Sequence, residues 1–339
     1  MFWVLWKNQS AWIALFVIVG AIGIGRSASG ETLRAGIIGC DTSHVPAFVK
    51  LLNAKRDADD PLAGVRVVAA FPGGSDDIAS SRDRVEGFTQ QLRDMDIEIV
   101  SSIDELLTRV DVVLLESTDA RKHLEQIRPV IEAGKPVFVD KPFAPSVADA
   151  IAIFRLAEKH EVPIFTSSML RFVPEIVATK NDSEIGKVTG CDAYSPCSLE
   201  ATHPDLFWYG IHGVEILFTI MGPGCEQVTR TQTKDTDVVT GVWGDGRVGS
   251  FRGLRSGKSD FGALVFGEKA IRHCQRTGSY EPLVAEIVRF FKSGVPPVSA
   301  EETIQIIAFM EAAELCKEQP GGIVKIRDVM DAAEAKQTK

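Results

Sequence analysis

The sequence predicts an α/β protein in two parts: an N-terminal doubly wound parallel sheet, followed by an α+β domain with a mainly antiparallel sheet. From residue 32 to residue 166, short β-branched runs alternate with helical stretches, which is the pattern of βαβ units. After residue 167 the pattern changes to strands in succession and then helices, which indicates an antiparallel sheet with helices on one face. We therefore predict domains at 31–167 and 168–339, preceded by a distinct segment, 1–30.

The first part contains predicted strands that are short apolar runs. These are Leu33–Ile38, Val65–Phe71, Ile97–Val100, Asp111–Leu115, Pro136–Val139 and Val162–Phe165. Helical signals lie between them: Ser102 and Glu105 form a capping box that opens a helix, and the helix from His123 ends at Gly134. Parallel sheets bind ligands beyond the carboxyl ends of their strands. The loops after the first, second, fourth and fifth strands should therefore converge on one crevice.

The second part begins with a helical turn, a strand and a helix, and continues with four strands and two helices. In chain order these span 172–179, 187–194, 206–221, 227–233, 237–243, 248–252, 263–266, 281–292 and 300–317. Asp245 and Gly246 form a hairpin turn between two of the strands. We expect the last two helices to close the chain.

Residues 1–30 have the pattern of an export signal. Lys7 precedes an uninterrupted apolar run from Ala11 to Gly25, and small residues follow the run. Spanning a bilayer takes about 20 apolar residues, so cleavage near Ser29 or Gly30 is favoured over a retained anchor. We expect a periplasmic or extracellular protein, attached to a membrane only through an uncleaved N-terminal segment.

The composition argues against several kinds of partner and site. The chain has 339 residues, 45% of them hydrophobic, which is typical of a globular enzyme. A formal net charge of −9 and the absence of a long basic run argue against nucleic acid, whose phosphates need clustered Lys and Arg. The six cysteines form no C-x-x-C pair, so we predict no metal site. Buried free thiols are favoured over a disulfide, for which Cys191 and Cys197 are the nearest pair.

The turn after the first strand departs from the dinucleotide-binding fingerprint. A G-x-G-x-x-G motif that starts at Gly39 would place glycines where Asp41 and His44 stand. A carboxylate at the second position crowds and repels a pyrophosphate unless the loop takes another path. Asp41, Thr42 and Ser43 also make a good helix N-cap, which leaves backbone N–H groups for a phosphate. From this motif alone, nucleotide binding and a purely structural turn both remain open.

The other loops at the crevice supply further candidate cofactor contacts. The second strand ends without the acid that holds a ribose and is followed by Gly73, Gly74 and Ser75, so NAD and NADP are both open. The loop after the fourth strand contributes Ser117 and Thr118.

A lysine follows the fifth strand directly, in the segment Asp140-Lys141-Pro142. Its ammonium is expected to point into the crevice, where it can hydrogen-bond a substrate hydroxyl or a nicotinamide ribose. An ammonium in that place stabilises the alkoxide that develops during hydride transfer. The structural alternative is a loop lysine in a salt bridge.

Several motifs in order resemble the Gfo/Idh/MocA family of oxidoreductases. The segment 140–142 resembles the family's E-K-P signature, and His123 matches its histidine in the helix after the fourth strand. Residues 171–174 resemble its R-F-x-P segment, and residues 185–188 resemble its I-G-x-V segment. The resemblance covers roughly residues 33 to 222. It implies a Rossmann domain that binds NAD or NADP, with Asp140 and His123 among the cofactor contacts, in a divergent and exported member.

The resemblance also implies a proton-transfer group in the second part. His212 falls at the position of the family's histidine. Trp208, four residues earlier and on the same helix face, stands where the family has an aspartate. A near-neutral imidazole suits acid–base work on an alcohol. Tyr209 can assist the imidazole or replace it, and Glu215 is expected to orient the ring. The structural alternative is a satisfied core histidine.

The function implied is hydride transfer between NAD(P) and a secondary alcohol of a sugar or inositol-like polyol. The predicted substrate contacts are Lys141, Arg171, His203, Trp208 and His212. A homo-oligomer is compatible with the resemblance, because the family's second sheet often mediates dimers or tetramers. Two alternatives stay open: an enzyme that retains NAD and cleaves glycosides, and a non-catalytic carbohydrate- or partner-binding protein on a degenerate Rossmann scaffold.

Overall fold

The structure, a computed structural model, describes residues 32–319 and 321–337, and the chain from Thr32 onward forms one compact unit. The predicted export signal at 1–30 lies outside the described residues. Within them the chain forms a six-stranded parallel sheet and a seven-stranded mixed sheet. None of the helices in this part of the chain combines the length and the apolarity that crossing a bilayer requires.

The parallel sheet has the strand order β3-β2-β1-β4-β5-β6, the doubly wound arrangement that the sequence predicts. Its strands are β1 (Leu33–Ile38), β2 (Val65–Phe71), β3 (Glu98–Ile99), β4 (Val112–Leu115), β5 (Val137–Val139) and β6 (Ile164–Thr166). The helices between them are α1 (His44–Leu52), α2 (Ala79–Arg93), α3 (Ile103–Leu107), α4 (His123–Glu132) and α5 (Val147–Lys159). The predicted strands are confirmed, with small shifts at their ends.

Local signals account for these boundaries. Every residue of β4 and β5 is buried, because helices cover both faces of a parallel sheet and only continuous apolar runs can occupy its centre. Helix α3 begins where predicted: Ser102 Oγ accepts a hydrogen bond from the backbone N–H of Glu105. The Glu105 carboxylate reaches back to the N–H of Ser101, one residue earlier than the predicted capping box. After α4, Gly134 takes the left-handed conformation expected of it.

The second sheet has the order β12-β11-β7-β10-β9-β8-β13, and all its pairs are antiparallel except β7 with β10. Its strands are β7 (Val188–Pro196), β8 (Cys225–Gln232), β9 (Thr236–Trp243), β10 (Val248–Leu254), β11 (Gly262–Gly267), β12 (Ile271–Gln275) and β13 (Val324–Lys325). The helices of this part are α6 (Pro174–Ala178), α7 (Ile211–Met221), α8 (Glu281–Ser293), α9 (Ala300–Leu315) and α10 (Ile326–Gln337).

Two expectations about the second part were wrong. Strand β12 was not predicted, because it is an edge strand that buries only Cys274 and therefore lacks the apolar alternation of a central strand. The two predicted helices do not close the chain, since β13 and α10 follow them. Helix α10 buries only Ile326, Val329 and Ala333, an apolar stripe too narrow to stand out in the sequence.

The predicted helix 206–221 is divided in two. A π-helical turn (Leu206–Gly210) precedes α7, and every residue of α7 is buried. Helix α7 lies tightly on the second sheet at Gly213, where a Cβ atom would come within 2.3 Å of the Phe251 ring. This close contact fixes the position of His212, the next residue toward the N-terminus.

Candidate active site

A cavity of about 310 Å³ lies between the first turn of α1, the end of β5 and the start of α7. The strand order of the parallel sheet reverses between β1 and β4, and sheets of this kind bind ligands at such a point. Predicted site residues from both parts of the chain line this cavity: Thr42, Ser43, His44, Thr118, Lys141, Trp208, Tyr209 and His212. The folded chain therefore places the predicted catalytic residues Lys141, His212 and Tyr209 around one space.

The remaining predicted site residues do not line the cavity: Gly39, Asp41, Gly73, Gly74, Ser75, Ser117, His123, Asp140, Arg171 and His203. Most of them are buried behind it. Their contacts hold loops and elements in place around the cavity, and the ligand contacts predicted for them stay predictions.

Gly39 allows the turn after β1 to touch the loop after β4. Its φ angle is +90°, and a Cβ atom there would lie 2.4 Å from the backbone nitrogen of Ser117. Gly73 packs against the other side of Gly39: a Cβ atom added to Gly73 would lie 3.4 Å from the Cα atom of Gly39. These residues therefore bring three loops into contact, and a larger side chain at position 39 would separate them.

Asp41, at the place of the second fingerprint glycine, turns its carboxylate away from the cavity. The carboxylate is fully buried and accepts hydrogen bonds from Ser81 Oγ (2.6 Å), Thr118 Oγ1 (2.7 Å) and the Thr118 N–H (3.1 Å). The loop thus takes another path than the fingerprint, and hydrogen-bond donors stabilise the carboxylate inside the protein. Asp41 ties the first turn to α2 and to the loop after β4.

A second carboxylate, Asp119, organises the adjoining loops. It accepts a hydrogen bond from Ser75 Oγ (2.6 Å), pairs with Arg121 and lies 3.3 Å from the His203 ring. Although burial favours its neutral form, these partners hold the pKa of Asp119 far below its usual range. Ser75 and His203 therefore support Asp119, and Lys122 donates to the carbonyl of Gly74.

The predicted family histidine, His123, also has a positioning role. Its ring is fully buried, with Nε2 2.8 Å from the carbonyl of Ser117 and Nδ1 3.1 Å from the carbonyl of Phe143. It joins the loop after β4 to the loop after β5. Those two loops carry Thr118 and Lys141 to the cavity.

Arg171 forms a buried ion-pair network instead of contacting the cavity. Its guanidinium lies 2.7 Å from Glu215 and 2.6 Å from Glu302. Glu215 is therefore committed to Arg171 and does not orient His212, which corrects the role predicted for it. The network joins the turn before α6 to α7 and α9.

Behind Lys141 lies a compact group of buried ionisable side chains. The His44 Nδ1 atom is 3.2 Å from Asp140 and 3.7 Å from Glu116, and Lys141 Nζ is 3.3 Å from Asp140. Burial lowers the pKa of His44, but the Asp140 carboxylate outweighs that effect and raises it to about 9. Burial raises the pKa of Glu116 to about 7. Asp140 has a pKa below its usual range, because His44 and Lys141 more than offset its burial.

His212 stands on the opposite side of the cavity, at the start of α7. Its Nδ1 atom is 2.8 Å from Ser168 Oγ, and the rings of Tyr209 and Phe261 pack edge-on against it at 4.9 and 5.8 Å. Burial, together with the positive charges of Lys141 and His44, lowers its pKa well below 6.5. His212 is therefore a neutral imidazole at neutral pH and can accept a proton.

Sequence reasoning missed several residues of the site. Glu116 directly follows the buried strand β4, and Lys141 lies two residues after the end of β5. An ionisable residue at the end of an apolar run was therefore the signal that could have identified Glu116. Arg84 lines the cavity from α2, and Arg276 and Tyr280 line it from the segment before α8. No motif marks these three residues. Their positions depend on the tertiary fold.

The cavity fits the phosphate and nicotinamide end of a dinucleotide. It opens at the first turn of α1, where the cap residue Ser43 makes no side-chain cap bond and no acid is present. Three cationic side chains, Lys141, Arg84 and Arg276, line it. The departures from the fingerprint are Asp41, His44 and the missing acid after β2. The first is accommodated, because its carboxylate bonds to Ser81 and Thr118.

Comparisons with known proteins agree with this fit. Residues 33–168 match the model of the oxidoreductase family with an NAD-binding Rossmann fold, GFO_IDH_MocA. An uncharacterized oxidoreductase of Escherichia coli K12, YhhX, is 30% identical over 140 residues, which is 37% of this chain and 40% of that protein. The 2,7-anhydro-N-acetylneuraminate hydratase of Mediterraneibacter gnavus is 27% identical over 154 residues, 41% of each protein. The chain thus spans about 40% of the length of these curated relatives.

The fold itself extends over most of the described chain in solved structures. The scyllo-inositol dehydrogenase of Lactobacillus casei, determined with NAD(H) and scyllo-inositol bound, superposes with a TM-score of 0.70. It covers 88% of this chain and 100% of its own, at 14% sequence identity. At that identity the likeness establishes the fold.

Proposed function

We propose that this chain, whose residues 33–168 match the model of the Gfo/Idh/MocA oxidoreductase family, is an NAD(P)-dependent oxidoreductase. The reaction is hydride transfer to or from a secondary alcohol of a sugar or inositol-like polyol. The observation that carries the proposal is that Lys141 and His212, which follow β5 and begin α7, line one cavity. The polyol class is supported by the shared fold with a dehydrogenase whose structure holds scyllo-inositol.

The cofactor is held by the residues around the first turn of α1. Backbone N–H groups at Thr42 and Ser43 and the side chains of Arg84 and Arg276 suit its phosphates. A bound nicotinamide supplies the hydride acceptor or donor. The rest of the chemistry belongs to protein side chains.

Two side chains divide the work on the substrate oxygen. The Lys141 ammonium stabilises negative charge on that oxygen, and Asp140 keeps the ammonium charged, since the pKa of Lys141 is raised by this neighbour despite its burial. His212 takes the hydroxyl proton: when its Nδ1–H donates to Ser168 Oγ, Nε2 keeps a free lone pair. Tyr209 packs on the imidazole and completes the wall.

Titration calorimetry with NADH and with NADPH tests the proposal. We expect one or both to bind, and the purified protein to reduce the oxidised form when a panel of inositols and sugars is supplied. A protein that gives no heat with either nucleotide would be the non-catalytic scaffold. Release of sugar from glycosides without net formation of NADH would identify the glycoside-cleaving alternative instead.

The pKa of His212 provides an independent prediction. NMR titration should place it below 6.5, and Lys141→Met should move it upward, because the variant removes a positive charge that disfavours the imidazolium. His212→Gln identifies the resonance. A pKa of His212 at or above 6.5, or a pKa that Lys141→Met leaves unchanged, would contradict this arrangement.

A further inference from the structure

The group behind Lys141 has the composition of a metal site. One imidazole and two carboxylates, from His44, Glu116 and Asp140, place ligand atoms within 4.8 Å of one another. The three residues come from three separate places: the first turn of α1, the end of β4 and the end of β5. The carboxyl ends of adjacent parallel strands bring them together.

The two carboxylates of this group are shielded from water, and within the part of the chain that the structure describes no hydrogen bond replaces the water. Glu116 and Asp140 are fully buried, and among the described residues none of their four oxygen atoms forms a hydrogen bond of acceptable geometry. The same holds for His44 Nδ1, in spite of its 3.2 Å distance from Asp140. Buried polar atoms are almost always paired, so five unpaired atoms on three neighbouring side chains indicate a missing partner.

We propose that His44, Glu116 and Asp140 bind a divalent metal ion of the Zn²⁺ or Mn²⁺ type. Ligand atoms about 2.0–2.2 Å from a shared ion lie roughly 3.0–3.6 Å apart in tetrahedral or octahedral geometry. The 3.2 Å separation from His44 Nδ1 to Asp140 lies within this range, and the 3.7 Å separation to Glu116 is slightly longer. A set of one nitrogen and two oxygen ligands, with no thiolate, suits these ions.

Lys141 does not replace the ion, and a bound metal would take the place of the proton on His44. The ammonium lies 3.3 Å from Asp140, whereas no ion pair joins it to Glu116 among the described residues. The Asp140 Oδ2 atom lies near both His44 Nδ1 and the ammonium, and a carboxylate oxygen has two lone pairs, so Oδ2 can face Lys141 and also bind a metal. The ion would lie directly behind the cavity, because His44 also lines the cavity wall.

Metal binding does not depend on the proposed dehydrogenase activity and is tested without nucleotide or polyol. The purified full chain is stripped with a chelator, dialysed and titrated with ZnCl₂ or MnCl₂. We expect stoichiometric binding of at least one of them. At a concentration about 100 times Kd, the Tm should rise by about 5 °C.

The decisive variant is Glu116→Gln, which keeps the shape and removes one ligand charge. We expect its metal affinity to fall at least 100-fold, roughly the upper range for lost supporting contacts. The metal-free variant should be as stable as wild type or more so, because a neutral amide costs less to bury than a carboxylate. If the substitution damaged the fold, the Tm of the metal-free variant would instead fall below that of the metal-free wild type.

Asp41→Asn is the matched control. Asp41 is an equally buried carboxylate in the same crevice, but its oxygens accept hydrogen bonds from Ser81 and Thr118. Its substitution should leave metal affinity close to that of wild type. The proposal is overturned if neither ion binds or raises the Tm of wild type, or if Glu116→Gln binds the ion as tightly as Asp41→Asn does.

Discussion

Lys141→Met is expected to lower kcat about 10²- to 10³-fold, the range found when one donor to a developing oxyanion is removed. Methionine keeps most of the length of the side chain and removes its charge. The ammonium lines the cavity and is held beside Asp140 at 3.3 Å, so it is already oriented before substrate binds. The measurement is steady-state turnover of the best polyol found for the wild-type protein.

Lys50→Met is the control for this experiment. Lys50 is an exposed residue in the last turn of α1 and does not line the cavity. Its substitution should leave kcat and KM close to their wild-type values. Turnover by Lys141→Met at the wild-type rate would remove the lysine from the mechanism and return it to the role of a salt-bridge partner for Asp140.

Arg171→Met is expected to lower the free energy of unfolding by about 3–5 kcal/mol, because it leaves a buried carboxylate without its partner. Glu215 is only 3% exposed, and burial already raises its pKa even with Arg171 in place. Without the guanidinium, Glu215 would have to be protonated or find water in the interior. Urea denaturation at neutral pH, followed by circular dichroism, measures the change.

Two further variants separate this network from a substrate contact. Arg171→Met combined with Glu215→Gln should recover part of the lost stability, because the amide no longer carries a buried charge. Arg155→Met breaks an exposed pair with Glu334 and should cost less than about 1 kcal/mol. An Arg171→Met protein of normal stability but with a raised KM for polyol would support the substrate role that the sequence predicted.

The parallel sheet could be predicted because its signals are local. Continuous apolar runs, the cap at Ser102 and the glycine at 134 each act within a few residues, and the structure keeps all of them. The end of the chain could not be predicted in the same way. Helix α10 is held by tertiary contacts of its narrow apolar stripe with α5 and α9, and its own sequence is largely polar.

The site was predictable to the extent that its residues follow strand ends. Lys141 and His212 were found by motif, and the fold brings them to one cavity. Which residues touch that cavity and which stand behind it depends on side-chain direction. Asp41 occupies a fingerprint position and His123 the position of the family's histidine, yet each side chain turns toward neighbouring loops. Partners distant in sequence, such as Ser81 and Phe143, set these directions.

The bonding of Asp41 links three positions that are distant in the chain. Because its carboxylate accepts hydrogen bonds from the hydroxyls of residues 81 and 118, the three should change together during evolution. A relative that regained glycine at position 41 would no longer need either hydroxyl, and one that lost a hydroxyl would be under pressure to shed the acid. The turn can thus evolve between two stable arrangements: one with glycine at position 41, and one with a buried aspartate that two hydroxyls hold.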